Sequence, residues 1–178
     1  RMQSLFGAPL IAIRRDIMPS WQVTIKRGMD VVVSLLAMAI LAPVLLLIAL
    51  LVKISSKGPV LFHQERVGRW GEPFIIHKFR SMHVDAERNG PQLSSDHDPR
   101  ITAVGRFLRK SRLDELPQFY NVLMGEMSLV GPRPERRHFI DLISARAPHY
   151  HLLKKVRPGI TSWGQVKYGY AENVDQMV

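Results

Sequence analysis

From Val31 to Val52 no position is charged and nearly all are apolar: VVVSLLAMAILAPVLLLIALLV. As a helix these 22 residues would be roughly 33 Å long, against about 30 Å for the hydrocarbon core of a bilayer. A chain of 178 residues has the size of one domain, too small to hide a helix that is apolar on every side. The run therefore predicts a membrane segment. Its length and the basic, polar stretch ahead of it argue against a cleaved signal peptide. Pro43 removes a helix hydrogen bond near the middle and leaves arms of 31–42 and 44–52, each about half a bilayer long. Lys26 and Arg27 flank one end, Lys53 and Lys57 the other, so the excess of positive charge gives a spanning helix no orientation. On the residues two forms stand level: a kinked spanning helix, and a re-entrant hairpin with both basic ends on the cytoplasmic face. In the hairpin the carbonyl freed by Pro43 needs a partner, for which Ser34 is a candidate.

Residues 1–25 read as a linker or peripheral segment, in which Pro19 interrupts the mixed stretch Ile11 to Ile25. After a turn over 55–59, the pattern predicts strands at 60–64 and 74–82, joined by a hairpin turn that Gly68 and Gly71 mark. Asp85 to Pro99 is polar and rich in turn formers, and reads as a mobile loop. Over 101–110 Ile101, Val104, Phe107 and Leu108 share one side of a helix, with Arg106, Arg109 and Lys110 supplying charge. That pattern suits a membrane interface, and it suits a helix packed on a core equally well. Leu116, Phe119, Tyr120 and Leu123 set the clearest helix, 114–124, with Asp114 as N-cap and Gly125 just past the end. Further helices are predicted at 134–146 and 149–156, a turn at 157–159 and a short strand at 165–168. The sum is an α+β fold, mostly helical, with interfacial amphipathic helices and a small β-hairpin.

Charge changes the picture next. Lys and Arg number 25 against 15 Asp and Glu, a net charge of +10, which favours a polyanionic partner such as phosphorylated substrates, an acidic membrane surface or nucleic acid. Few aromatic residues interleave with the basic ones, and the apolar run counts against nucleic acid. The absence of cysteine removes disulfides, thiolate nucleophiles and cysteine-based zinc sites. The seven histidines show no metal-ligand spacing. No phosphate-binding glycine loop, dinucleotide fingerprint or nucleophile elbow is present.

The candidate chemistry lies in Ser111-Arg112-Leu113-Asp114-Glu115-Leu116-Pro117. Two adjacent carboxylates at a helix start can serve as a nucleophile toward phosphorus and as a Mg²⁺ ligand, beside backbone N–H groups that suit a phosphate. Taken alone the pair is an ordinary helix start. Nearby cations make more of it. Lys78 and Arg80 share a strand face, Arg109 and Arg112 lie just upstream, Arg133 is set between Pro132 and Pro134, and Arg157 precedes Pro158-Gly159. Each of these, taken singly, also reads as a solvated surface charge.

Several stretches closely resemble the bacterial sugar transferase family, the monotopic polyprenyl-phosphate phosphoglycosyl transferases. They are Lys26 to Asp30, Gly58 to Phe62, Gln64 to Gly68, Lys78 to Met82, Ser111 to Gln118, Asn121 to Pro134 and Val156 to Thr161, in family order over about 150 residues. The resemblance implies the re-entrant hairpin, broken at Pro43, although Ala42 stands where the family often has serine. It implies an anchor over 26–57 and a cytoplasmic catalytic domain over 58–178 at the bacterial inner membrane. It also implies a ping-pong transfer of sugar-1-phosphate from a UDP-sugar to polyprenyl phosphate, with Asp114 as nucleophile, Glu115 in a Mg²⁺ site and UMP as leaving group. Lys78, Arg80, Arg109, Arg133 and Arg157 would hold phosphate groups, and Gln165 joins them as a candidate substrate contact. Such a chain is expected to be the catalytic end of a larger protein, truncated at both ends, with any homo-oligomer formed through regions outside it. The competing expectation is a non-catalytic scaffold that binds anionic membrane lipid through its basic face.

Overall fold

The computed structural model describes residues 3–5, 8–10, 18–88, 90 and 98–169. Most of the expected loop at 85–99, the C-terminal 170–178 and, of the linker, 1–2, 6–7 and 11–17 lie outside these residues. Two short strands, β1 (Gln3–Leu5) and β2 (Ala8–Leu10), pair antiparallel ahead of the rest.

One helix, α1 (Ser20–Ser55), carries the apolar run. It begins six residues before the anchor boundary expected at 26, directly after Pro19, whose carbonyl accepts from Val23 N. The helix is continuous through Pro43. Only Asp30, Ser34, Ile48 and Val52 are buried along it, while Val32, Leu35, Ile40, Leu46 and Leu47 stand exposed. Ser34 is fully buried, and its hydroxyl makes no hydrogen bond, so it is not the partner of a carbonyl freed by Pro43.

The body that α1 touches is built on a hairpin of β3 (Leu61–Val67) and β4 (Pro73–Phe79), antiparallel in the register Leu61 with Phe79 to Val67 with Pro73. The hairpin and its turn are those expected, but β3 runs on past 64 to Val67 and β4 stops at Phe79 instead of reaching 82. The turn needs left-handed backbone at Trp70 and Gly71, with φ of 63° and 87°. Phe74 and Ile76 face inward onto Val122 and Met127, and Phe79 joins Ile48, Val52 and Leu108. The second of these clusters is where the C-terminal part of α1 enters the core. Burying each of these side chains contributes roughly 1.5–3 kcal/mol.

The helix α2 (Ala103–Lys110) starts at Thr102, whose hydroxyl accepts from Gly105 N at 2.9 Å. Leu108 is buried as expected, but Phe107 is 62% exposed, beside the exposed Arg106 and Lys110. The apolar side expected to hold Phe107 is therefore narrower, and α2 presents a mixed aromatic and basic face outward.

A 3₁₀ turn (Leu113–Glu115) leads through Pro117 into α3 (Gln118–Met124), which ends at Gly125 with φ of 87°. Chain reversal there needs the left-handed backbone that glycine adopts without strain. Beyond it β5 (Ser128–Val130) pairs parallel with β6 (Gly159–Thr161). The expected turn at 157–159 thus ends in a strand. Between the two strands lie α4 (Arg137–Arg146) and a 3₁₀ stretch (Pro148–Lys155) in place of the α-helix expected at 149–156. The short strand expected at 165–168 is instead a helix, α5 (Trp163–Tyr168), because the Ser162 hydroxyl accepts from Gln165 N and caps it.

Gly105 is fixed by close approach of α2 to the chain after β4. A Cβ there would lie 1.9 Å from Ser81 O and 2.6 Å from Ser81 C. On an open helix Gly→Ala gains up to about 1 kcal/mol. Here the backbone must give way, so Gly105→Ala should reverse the sign and cost about 1–3 kcal/mol, read as a lowered Tm in thermal denaturation. An unchanged or raised Tm would contradict this packing.

Candidate active site

The two carboxylates are placed by a backbone exception. Arg112 adopts left-handed backbone, φ 59° and ψ 16°, immediately before the 3₁₀ turn. A non-glycine residue there is uncommon and costs energy, which is often accepted at functional sites. The result differs from the expected N-cap. Asp114 lies inside the 3₁₀ turn, α3 begins four residues later, and no side chain caps it. Both carboxylates are turned into the body, with Asp114 8% and Glu115 5% exposed.

Their surroundings are unequal. Lys78, at the end of β4, donates to Glu115 Oε1 at 2.8 Å. Arg133 Nη1 lies 3.9 Å from the same oxygen, and Arg112 Nη1 lies 4.0 Å from Oε2. Burial pushes Glu115 up, but Lys78 and then Arg133 outweigh it and hold the carboxyl below its usual range. Among the described residues no other side chain hydrogen-bonds or ion-pairs with the Asp114 carboxylate, which accepts from its own backbone N–H. Burial pushes its carboxyl up to about 6; Lys78 and Arg109 oppose the shift and the charge of Glu115 adds to it. One carboxylate is thus fixed and ionised by cations, while its neighbour is desolvated and held by no other side chain.

The structure brings together Lys78, Asp114, Glu115 and Arg133, with Arg109 acting on Asp114 through its charge. Gln165 joins them by a different route. It lines a cleft of about 320 Å³ with Glu115, Arg112, Leu116, Phe119, Ile160 and Val166. Ser162 Oγ donates to its Oε1 at 3.2 Å, and its Nε2 has no partner. Arg80 and Arg157 are engaged elsewhere. Arg80 lies one residue beyond β4 and donates to Ser56 O at 2.7 Å and Ser56 Oγ at 2.8 Å, at the C-terminus of α1. The strand-face argument that grouped it with Lys78 fails because the strand ends at Phe79. Arg157 Nε donates to Gly125 O at 2.8 Å, at the end of α3. Both cations satisfy carbonyls at helix ends, where the helix dipole favours positive charge.

Several supporting residues carried no strong local signal. Asn121, fully buried, accepts from His77 N at 3.1 Å and donates to Ile75 O and Glu126 Oε2, each at 2.7 Å. It clips α3 to β4, and so the dyad to Lys78. Asp30 accepts from Leu129 N at 3.1 Å and Ser128 Oγ at 2.8 Å, with Lys26 beside it. Arg27 donates to the carbonyls of Val122 and Leu123. Glu135 pairs with Arg133 and Arg66. A charged residue bordering an apolar run, and an acid after Arg-Pro, were the only hints of these roles.

Among the described residues no three or more His, Cys, Asp or Glu gather into a metal cage. Asp114 and Glu115 supply two carboxylates, and Mg²⁺ is commonly held by one or two carboxylates together with substrate phosphates. With Lys78, Arg112 and Arg133 already beside Glu115, the donor set suits an ion that arrives with a diphosphate rather than a permanently caged one.

A family model described as bacterial sugar transferase matches residues 21–178. A UDP-N-acetylgalactosamine-undecaprenyl-phosphate N-acetylgalactosaminephosphotransferase of Aeromonas hydrophila is 50% identical over 151 residues, covering 85% of this chain and 36% of that protein. A UDP-glucose:undecaprenyl-phosphate glucose-1-phosphate transferase of Escherichia coli is 42% identical over 166 residues, 93% of this chain and 36% of that protein. One with the same name from Caulobacter vibrioides is 45% identical over 175 residues, 96% of this chain and 62% of that protein. The chain therefore spans only part of each of these relatives.

The burial of Asp114 without a side-chain partner has a measurable cost. Its folded value of about 6 lies above the ordinary 3.8, so between those values the folded state holds more protons than the unfolded. Stability from this group is then present at acid pH, falls as pH rises through the window, and stays reduced above about 6. Asp114→Asn should remove the deficit, raising stability at pH 8 by on the order of 3 kcal/mol, with no gain below pH ~4. Denaturant titrations of both proteins across pH would check it, and an asparagine variant less stable at pH 8 would contradict it.

Proposed function

The chain belongs to the bacterial sugar transferase family, and on that premise we propose that it moves a sugar-1-phosphate from a UDP-sugar to polyprenyl phosphate, releasing UMP. The observation that carries the proposal is the inequality of the two carboxylates. Glu115 is held by Lys78, Arg133 and Arg112, whereas Asp114 is buried beside it without a side-chain partner. A carboxylate attacks phosphorus best when it is positioned, ionised and not neutralised by a contact cation. With its carboxyl at about 6, Asp114 is ionised at neutral pH. The names of the relatives supply the substrate classes: UDP-sugars as donors and undecaprenyl phosphate as acceptor.

The reaction balances in two displacements. A carboxylate oxygen of Asp114 forms a bond to the β-phosphorus of the UDP-sugar, and the bond from that phosphorus to the bridging oxygen breaks. UMP departs with the electron pair. The sugar phosphate is left as an acyl phosphate on Asp114. An oxygen of polyprenyl phosphate then attacks the same phosphorus, Asp114 leaves as a free carboxylate, and the lipid carries the sugar on a diphosphate. Lys78, Arg109 and Arg133 offset the negative charge gathered on the phosphoryl oxygens, a contribution greatest where water is excluded. Mg²⁺, held by Glu115 and the diphosphate, would add charge neutralisation at the departing phosphate. Such a transfer is the first membrane step in building a polysaccharide or glycoconjugate.

The membrane geometry belongs to the same proposal: α1 enters and leaves the bilayer on one face, the cytoplasmic one, bending near Pro43. Both of its ends fasten to one body. Arg27 and Asp30 hold α3 and β5, while Ile48 and Val52 pack on Phe79 and Leu108. Between them no residue from 35 to 47 is buried. Basic residues at both ends favour the cytoplasmic side. A bilayer also suits the outward face of α2, with Phe107 between Arg106 and Lys110.

Purified protein with Mg²⁺, undecaprenyl phosphate and a panel of UDP-sugars should release UMP with at least one donor. Asp114→Asn should lower that rate by about a thousandfold or more. Without acceptor, the wild type should gain the mass of one sugar phosphate. Turnover undiminished in the variant would sink the covalent route. For topology, the chain has no cysteine, so single substitutions Thr24→Cys and Lys57→Cys give clean reporters. Both should react with an impermeant maleimide from the cytoplasmic side of inverted membranes. Labelling of only one from that side would mean a spanning helix.

A further inference from the structure

Arg133 stands between two prolines, which fixes its backbone but not the four side-chain torsions that carry its guanidinium. Something must aim that group at Glu115, 3.9 Å away. The candidate is Glu135, 7% exposed, which no step of the transfer uses. Its Oε1 lies 3.3 Å from Arg133 Nε, on the opposite edge of the guanidinium from the Nη1 that faces Glu115.

Glu135 is itself braced by β3. Its Oε2 lies 3.5 Å from Arg66 Nη1, and its backbone carbonyl accepts from Val67 N at 3.1 Å. Arg66 cannot swing freely, because it also donates to Pro134 O at 3.0 Å and Gln64 Oε1 at 2.6 Å. Burial lowers Arg66 to about 10, with Glu135 pulling the other way, so it stays charged at neutral pH. Two guanidiniums therefore share one carboxylate. Without its charge they would repel each other, and the Arg133 guanidinium would lose the carboxylate that holds its Nε edge while Nη1 faces Glu115.

We propose that Glu135 is a positioning residue, which holds the Arg133 guanidinium at the phosphate-transfer site from the rigid end of β3. The proposal rests on the transferase reading above. Displacing a positioned group by about 1 Å can cost about a hundredfold in rate, so Glu135→Gln should lower kcat/KM for the UDP-sugar by about tenfold to a hundredfold.

A double-mutant cycle tests it, with UMP release measured for the wild type, Glu135→Gln, Arg133→Ala and the double variant, each checked for folding by its Tm. If Glu135 acts through Arg133, adding Glu135→Gln to Arg133→Ala costs less than about twofold more, because the group it aims is already gone. Losses that multiply in the double variant, or a Glu135→Gln protein as active as the wild type, would overturn the proposal. Should Glu135→Gln fail to fold, Glu135→Asp replaces it in the cycle, since it keeps the charge but withdraws it by one methylene, and the same outcomes decide. Wild-type protein that releases no UMP with any donor overturns the transferase reading and this proposal with it. Wild-type turnover with multiplying losses overturns this proposal alone.

Discussion

The ion pair between Lys78 and Glu115 is the constraint on which the rest of the site depends. It joins the end of the β-hairpin to the turn that carries both carboxylates, at 2.8 Å and with both partners largely buried. A buried pair gains little net stability, because desolvating two charges offsets most of their attraction, but leaving one of them alone is strongly unfavourable. The arrangement therefore admits few alternatives. Glu115 must stay ionised and in place, and the geometry of Asp114, one residue earlier in a tight turn, follows from it. Asn121 repeats the constraint without a charge of its own by tying α3 to β4 through two hydrogen bonds.

How much of this was legible in the sequence depended on how local the cause was. The apolar run, the hairpin with its two-glycine turn and the glycine stop of α3 are each set by residues within a few positions, and all three lie where the pattern puts them. The 3₁₀ turn was not legible, because Asp-Glu ahead of an apolar periodicity is also how an ordinary helix begins. What overrides that signal is the left-handed Arg112 and the pull of Lys78, 37 residues upstream. The parallel pairing of β5 with β6 joins segments with a helix and a 3₁₀ stretch between them, which no short window reveals. Strand and helix are hard to separate over six residues, and at α5 a single serine cap decided it.

The basic residues show the same division. Spacing alone could not tell a phosphate ligand from a helix-end ligand, since a row of backbone carbonyls and a phosphate both present clustered negative oxygen to a guanidinium. Arg80 and Arg157 found carbonyls, whereas Lys78 and Arg133 found Glu115. These four cations thus divide between two duties: securing backbone ends within the fold, and creating a positive field around one carboxylate pair.

The contacts of Arg27 and Asp30 bear on whether this molecule can be divided. A soluble head on a removable tether would complete its own hydrogen bonds and its own core. Here the last carbonyls of α3, the amide of Leu129 and the hydroxyl of Ser128 take their partners from the first turns of α1, and Phe79 and Leu108 take part of their apolar cover from its last turns. Cutting α1 away would strip the end of α3, the start of β5 and the apolar side of Phe79 and Leu108 of support at once. The long apolar helix is therefore a structural part of the body that holds the two carboxylates, and the whole is a single fold rather than a head on a tether.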